Sequence, residues 1–163
     1  MDGLKKVTAL DYNPRCLHRD LTSATTTKWM TYENLYNVTI GDASKTIKTF
    51  QEEIQGRFGD GFLGLHSAGH YAIGGDDSDL WTSVVDPAFM LHHAMLDRVW
   101  WQWQALHPKQ AATISGTLTM LNSPPSRDAT LDDDLDVGVL GPKRKNRDLM
   151  STISGTPRCY IYD

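Results

Sequence analysis

The sequence predicts a mainly α-helical fold, a partial antiparallel bundle of three or four helices followed by a long irregular C-terminal segment. The first observation is the spacing of apolar residues between positions 44 and 58. They recur every three or four residues and so form one face of a helix, made of Ile47, Phe50, Ile54 and Phe58. Asp42 or Ser44 can cap the start of this helix, and Gly59 can end it.

The second observation is a well-marked helix over residues 87–107. Asp86 is a favourable N-cap residue, and Pro87 suits the first helical position because that position needs no backbone N–H donor. Pro108 ends the helix, since a proline disfavours the helical conformation in the residue before it.

Two further helices and several irregular segments complete the prediction. We predict a short helix over residues 27–36 and another over residues 63–73, which ends at the glycine- and aspartate-rich loop 74–78. Residues 1–25 are polar and are interpreted as an extended arm. After the last helix the sequence is rich in turn-forming residues, and residues 159–162 form a short strand-like end.

The composition is that of an ordinary globular protein, and we expect residues 1–163 to form a single domain. The net charge is −4, and 40% of the residues are hydrophobic. This acidic balance does not favour a nucleic-acid partner. No apolar run approaches the length of a membrane span, so a membrane is not expected as a partner either.

Three features bear on localisation and redox state without deciding either. No apolar stretch of the signal-peptide kind follows the first residues. The triplet Asn37-Val38-Thr39 is a glycosylation sequon and weakly favours secretion. Cys16 and Cys159 lie near opposite ends of the chain, where they can pair with each other, pair with another chain or remain free thiols.

Four of the six histidines fall between residues 66 and 93. His66 and His70 are four residues apart, so on a helix they lie one turn apart on the same face and can hold one metal ion. His92 and His93 follow on the next predicted helix. Because consecutive helical residues point about 100° apart, only one of this second pair can face the first pair.

This arrangement predicts a metal site with three imidazole ligands. An all-nitrogen set suits copper or zinc rather than calcium or magnesium, and the spacing alone does not choose between the two. Asp97 lies one turn after His93 on the same face, where it can orient an imidazole or pair with Arg98 or another cation. His18 and His107 are interpreted as solvent-exposed or structural histidines.

Two segments of the chain together resemble the second-copper signature of tyrosinases and catechol oxidases. The family pattern is H-x-x-x-H followed by D-P-x-F-x-x-H-H-x-x-x-D-R, and every fixed position is present in residues 65–70 and 86–100. Residues 13–20 resemble the segment between the two copper motifs of fungal members. Residues 159–163 resemble the tyrosine motif that closes their catalytic domain. The resemblance therefore covers nearly the whole chain and indicates the short fungal type.

The resemblance implies a helix bundle of the type-3 copper kind in which His66, His70 and His93 bind the second of two coppers. His92 then lies beside the ligands without binding copper. Phe89 packs near the site in family members, although its position also suits a core residue.

The resemblance also bears on the substrate, a small phenol that is oxidised by oxygen. In family members the residues after the first two ligands bias the choice between monophenols and diphenols, and here they are Ser67 and Tyr71. Serine stands where many tyrosinases have asparagine. This favours oxidation of o-diphenols to o-quinones over hydroxylation of monophenols. The family's water-holding glutamate cannot be assigned from the sequence.

A complete type-3 site needs two coppers and six histidines, because each copper supplies one of the two electrons that oxygen takes up. Only His18 precedes His66 in this chain, so the chain offers ligands for one copper. We therefore expect the chain to be the C-terminal, second-copper half of a tyrosinase-like catalytic domain, with the first-copper half on another chain or segment. We also expect an exposed apolar patch beside the ligands, not covered by residues 110–160.

Two other functions stay open. A non-enzymatic copper-binding or oxygen-carrier-like module, as in the related hemocyanins, would use the same ligands without turning over catechols. A zinc hydrolase would also use three histidines, but it needs a general base nearby, and no matching glutamate motif is evident.

Overall fold

The structure, a computed structural model, describes residue 12, residues 14–155 and residues 157–163. It is mainly helical, as the sequence predicts. The α-helices of the described part are α1 (Ala24–Trp29), α2 (Tyr32–Thr39), α3 (Ile47–Gln55), α4 (Gly64–Ile73) and α5 (Pro87–Leu106). A short antiparallel ladder pairs β1 (Asp134–Leu135) with β2 (Arg144–Lys145). None of these helices combines the length and the apolar character needed to cross a bilayer.

The two helices that carry the histidines begin and end where the sequence predicts, to within one residue. At the start of α5, the Asp86 side chain accepts a hydrogen bond from the backbone N–H of Ala88 (2.8 Å), and Pro87 occupies the first position. α4 ends at Gly74, whose φ of 67° is readily adopted only by glycine. The chain therefore leaves α4 in a sharp turn.

The predicted helix over residues 27–36 is wrong as a single element. The chain there forms α1 and α2, separated at Met30 and Thr31. Thr31 has an extended backbone, and its side chain accepts a hydrogen bond from the N–H of Asn34. A threonine in this role starts a new helix rather than continuing the previous one.

The predicted boundaries of α3 are also wrong. α3 begins after Thr46, which forms a reciprocal capping box with Thr49, and not at the predicted caps Asp42 or Ser44. It ends at Gly56, with φ 114°, before the predicted Gly59. Phe58 consequently leaves the helix, and its side chain is 55% exposed instead of joining the core.

The core lies where α2, α3, α4 and α5 meet around Trp103. Its side chain is fully buried, its ring centroid lies 5.0 Å from that of Phe50, and its Nε1 donates a hydrogen bond to the carbonyl of Ser44 (2.8 Å). Ile47 and Ile54 pack against the same cluster, which confirms three of the four predicted apolar positions. The buried cluster consists of Val38, Phe50, Leu65, Val99 and Trp103.

The N-terminal arm crosses the end of α4 and reaches the start of α5. The N–H of Asp20 donates to the carbonyl of Ile73 (3.0 Å), which ties the arm to α4. Arg19 donates two hydrogen bonds of 2.7 Å to Asp86, the buried N-cap of α5. These bonds with Arg19 lower the pKa of Asp86 to about 2. The predicted extended arm is confirmed for residues 14–22 and is wrong for Ala24 and Thr25, which begin α1. Residues 1–11 and 13 lie outside the described residues.

The C-terminal segment is irregular and returns to α5 through polar contacts. Gln104 donates from Nε2 to the carbonyls of Ala111 (2.6 Å) and Met150 (2.8 Å). Arg98 donates to the carbonyl of Asp163. The predicted strand-like end is wrong, because residues 159–162 pair with no strand in the described part of the chain.

Three of the residues singled out for localisation and redox state have defined surroundings. Cys16 and Cys159 are both exposed and are not bridged. The Asn37 amide of the sequon donates from Nδ2 to Glu53 Oε1 (3.0 Å) and accepts at Oδ1 from the N–H of Ala43 (3.3 Å). A glycan on Nδ2 would break the first of these contacts.

The core makes a direct prediction for Trp103. We expect Trp103→Ala to lower the free energy of unfolding by about 3–5 kcal/mol, because it empties a buried indole site and leaves the Ser44 carbonyl without its donor. Urea unfolding of the chain followed by circular dichroism measures this loss. Trp81 is 81% exposed, so Trp81→Ala is the control and should change the value by no more than about 0.5 kcal/mol. Equal effects of the two substitutions would contradict this account of the core.

Candidate metal centre

Three imidazoles converge where α4 faces α5. His66 and His70 lie one turn apart on α4, and His93 reaches them from α5. The Nε2 atom of His70 lies 3.0 Å from Nε2 of His66 and 3.2 Å from Nε2 of His93. A metal ion held at 2.0–2.1 Å by tetrahedrally arranged imidazoles would separate their nitrogens by roughly 3.3 Å. Both of these separations are therefore close to that of two ligands of one ion.

The partners of the opposite ring nitrogens leave these Nε2 atoms free to bind a metal. His70 Nδ1 lies 2.9 Å from the backbone carbonyl oxygen of Asp77. A carbonyl oxygen only accepts, so Nδ1 carries the proton and Nε2 of a neutral His70 carries a lone pair. His66 Nδ1 lies 2.7 Å from Gln55 Oε1, which likewise accepts and directs the lone pair of His66 to Nε2.

Lone pairs that point at one another repel unless a cation lies between them. A proton is a poor candidate at neutral pH. Burial, and then the neighbouring imidazoles, lower the pKa of His66 to about 3 and that of His93 to about 4. A copper or zinc ion, which binds neutral imidazole, therefore fits this donor set better than a proton.

His92 is the competing third ligand, because its ring also offers a nitrogen within 4.8 Å of those of His66 and His70. However, His92 Nε2 lies 2.8 Å from the backbone carbonyl oxygen of His66 and must donate a proton to it. That nitrogen has no lone pair left for a metal. A neutral His92 then carries its lone pair on Nδ1 and could bind the ion only through that nitrogen. Ring orientation alone therefore does not separate His92 from His93, and the choice of His93, which follows the resemblance described above, stays a prediction for metal-binding experiments.

The close approach of α4 and α5 brings the His92 ring to the backbone carbonyl of His66. The His92 ring covers Gly69, and a Cβ built on Gly69 would lie 2.2 Å from His92 Cε1, far inside contact distance. Glycine is thus required at this position by packing and not by its backbone angles. Because His92 is fixed against α4, the following residue, His93, directs its ring towards His66 and His70.

The other predicted site residues take distinct positions. The Phe89 ring stacks on that of His93 with 3.9 Å between centroids. Ser67 is buried, and its hydroxyl donates to the backbone carbonyl of Gln55 (2.8 Å). Tyr71 is half-exposed and lines a cavity of about 1020 Å³ that also contacts His66 and His70.

Asp97 does not orient an imidazole in the described part of the chain. Its Oδ2 accepts hydrogen bonds from the hydroxyls of Tyr160 (2.6 Å) and Tyr162. Arg158 lies 3.8 Å from its other oxygen. Asp97 therefore joins the C-terminal tyrosines to α5. Burial of the Tyr162 hydroxyl, together with the Asp97 carboxylate beside it, raises the pKa of Tyr162.

Two residues that contact the ligands were missed by the sequence analysis. Gln55 is the last residue of α3, eleven positions before His66, and Asp77 lies in the loop that the sequence marks only as a turn. Neither belongs to a recognisable motif. Glu53, the buried acid of α3, pairs with Arg57 and Asn37.

An open apolar groove of about 600 Å³ lies beside His66 and His93, between α3 and α5. Its apolar lining comes largely from Ile47, Phe50, Ile54, Leu96 and Trp100. Thr113, Ile114 and Met150 form part of its lining without closing it. We expect an apolar surface here that residues 110–160 leave uncovered. The apolar surface is present, but residues 113–117, 119–122, 128 and 150 line the two cavities beside the histidines, so this face is covered in part.

Comparison with known proteins gives consistent matches. The family model described as the common central domain of tyrosinase matches residues 2–106. An oxidase, hkm6 of Aspergillus hancockii, is 36% identical over 161 residues, which cover 94% of this chain and 54% of the relative. Tyrosinase P of Aspergillus terreus is 37% identical, with 94% of this chain and 43% of the relative covered.

A solved structure shows the same fold. It is a variant of the polyphenol oxidase from Thermothelomyces thermophila, which is 35% identical, with a TM-score of 0.84 over 98% of this chain and 46% of that one. The chain thus spans about half the length of the relatives that it matches.

The contact between Gly69 and His92 predicts that replacing this helical glycine by alanine lowers stability, whereas such a change normally raises it. Alanine favours a helix over glycine by about 1 kcal/mol, yet we expect Gly69→Ala to destabilise the chain by roughly 1–3 kcal/mol, because its methyl group overlaps the His92 ring. Gly59→Ala is the control, since a Cβ there meets nothing within 4 Å. Thermal unfolding of both variants measures the difference. A more stable Gly69→Ala variant would show that α4 and α5 are not in close contact here.

Proposed function

The chain belongs to the tyrosinase family, and from this we propose that it is the second-copper half of a type-3 dicopper phenol oxidase. His66, His70 and His93 would hold one copper ion. The copper pair, when complete, supplies the electron transfer between phenol and oxygen. The residues of this chain position the metal and shape the surface on which the phenol lies.

One observation carries the proposal: the Nε2 atoms of His66 and His93 each lie within 3.2 Å of His70 Nε2, while the opposite nitrogens of His66 and His70 are engaged by acceptors. Such ring orientation is characteristic of metal-binding histidines, in which one nitrogen donates to a fixed acceptor and the other binds the ion. The family match makes copper the expected ion.

We propose that the other copper of the pair, the family's first copper, is held by histidines outside residues 1–163. Beyond the cluster of His66, His70, His92 and His93 the chain has only two histidines, one fewer than a second set of three ligands needs, and it spans about half the length of its relatives. The groove between α3 and α5 offers an apolar surface directly beside His66 and His93. A first-copper segment of helical structure packed there would bury this surface and face the ligands across it.

The proposed substrates are o-diphenols, with oxidation to o-quinones by oxygen. The Ser67 hydroxyl donates its proton to the Gln55 carbonyl, so it is poorly placed to hold a water molecule that takes a proton from a monophenol. Tyr71 is the more accessible of the two residues and lines the larger cavity. The engaged Ser67 hydroxyl supports diphenol oxidation over monophenol hydroxylation.

The direct test is the copper content and catechol oxidation of the protein as isolated, together with any chain that accompanies it. We expect two copper ions for each copy of this chain when the first-copper half is present, and catechol turnover that is lost after chelation and restored by copper but not by zinc. Copper binding without turnover in that complete assembly would favour a copper-binding or oxygen-carrier-like module. Binding of zinc alone would contradict the copper assignment.

Single histidine substitutions test the ligand assignment. We expect His93→Ala to weaken copper binding at least about 100-fold, beyond the range seen for residues that only orient ligands. We expect His92→Ala to weaken binding less and to lower stability, because it removes the contact with the His66 carbonyl. His18→Ala is the control, since its ring lies outside the cluster. Copper competition titrations measure all three, and a larger loss for His92→Ala than for His93→Ala would reverse the assignment.

A further inference from the structure

Asp77 is a buried acid whose contacts are not explained by the fold alone. Its side chain is fully buried, and Oδ2 lies 3.2 Å from His70 Nδ1. Its other oxygen, Oδ1, has no hydrogen-bond partner among the described residues. An unpaired buried oxygen of this kind costs stability. A residue that lowers stability in this way is expected to serve a purpose other than folding.

The path of the chain after α4 brings Asp77 to this place. Gly74 and Gly75 both have positive φ, and a Cβ on either would lie within 2.4 Å of a carbonyl oxygen of the N-terminal arm. The two glycines thus let the chain turn tightly beneath the arm. The N–H of Asp77 donates to the carbonyl of Gly74 (3.1 Å), which closes the turn and directs residue 77 back to His70.

The carboxylate is not needed to select the tautomer of His70. The backbone carbonyl of Asp77 is the closer acceptor, at 2.9 Å, and already places the proton on Nδ1. What the side chain adds is negative charge on the side of the ring opposite Nε2. In a buried setting that charge acts strongly on a cation bound at Nε2, because little water lies between them.

Arg19, a neighbouring cation, pairs with Asp86 and not with Asp77. Arg19 donates both of its hydrogen bonds to Asp86, at 2.7 Å. The pKa of Arg19 is raised first by Asp86 and only last by the charge of Asp77. Arg19 therefore does not pair with Asp77, which keeps its charge for the imidazole side.

We propose that Asp77 is a positioning residue for His70, whose carboxylate holds the ring and stabilises the positive charge of a copper ion bound at Nε2. This inference rests on the proposed copper site and assigns to that site a residue outside the family pattern described above. It predicts that copper affinity depends on the charge at position 77 and not only on the shape of the side chain.

Asp77→Asn removes the charge and keeps the size. We expect this variant to bind copper about 10–100-fold more weakly, the range found when such orienting partners are lost. We also expect an altered electron paramagnetic resonance spectrum of the Cu(II)-loaded protein. Asp76→Asn is the matched control, because it removes the adjacent carboxylate, which pairs with Arg15 and the N–H of His18 rather than with His70. We expect it to bind copper within about 2-fold of the unsubstituted protein.

The measurements use copper alone, by competition titration with the protein as isolated, alongside thermal unfolding without metal. Unchanged copper affinity and spectrum in Asp77→Asn, with or without a change in stability, would show that Asp77 is only structural and would overturn the inference. Should Asp77→Asn not fold, Asp77→Ser removes the same charge with a smaller polar group and decides by the same criteria. An unsubstituted protein that binds no copper would overturn the proposed function together with this inference, whereas a bound copper indifferent to position 77 overturns the inference alone.

Discussion

The close contact between α4 and α5 at Gly69 is the constraint on which the site depends. Because Gly69 has no side chain, the His92 ring can lie directly on α4 and donate to the backbone carbonyl of His66. This contact sets both the distance and the rotation of α5. With α5 held in that rotation, His93 points at His66 and His70, and Phe89, one turn earlier, stacks on its ring.

The surroundings of the ligands are assembled from three separate parts of the chain. Gln55 arrives from the end of α3, and Asp77 from the turn after α4. The N-terminal arm holds that turn in place and also binds Asp86, the cap of α5. The orientations of the His66 and His70 rings are thus linked to the core and the arm, so that a metal ion held at the proposed site would stabilise the folded chain.

The two sides of the cluster formed by His66, His70 and His93 differ. On one side the ligands rest on the core around Trp103, while on the other an apolar groove lies open beside His66 and His93. Asp97 joins the C-terminal tyrosines to the middle of α5. A half-site of this shape, in a chain that spans about half of its relatives, is consistent with the two-copper architecture proposed above.

Local patterns were sufficient for much of this description. The caps and stops of α4 and α5 lie within a few residues of the helices that they end, and the histidine spacing follows from helical geometry, so both could be predicted from adjacent residues. The division between α1 and α2 and the later start of α3 were missed, because the capping roles of Thr31 and Thr46 compete with equally plausible alternatives nearby. The orienting residues could not be predicted. Gln55, Asp77 and the tyrosine partners of Asp97 meet their targets only through the packing of distant segments, and hydrogen bonds of that kind leave no periodic trace in a sequence.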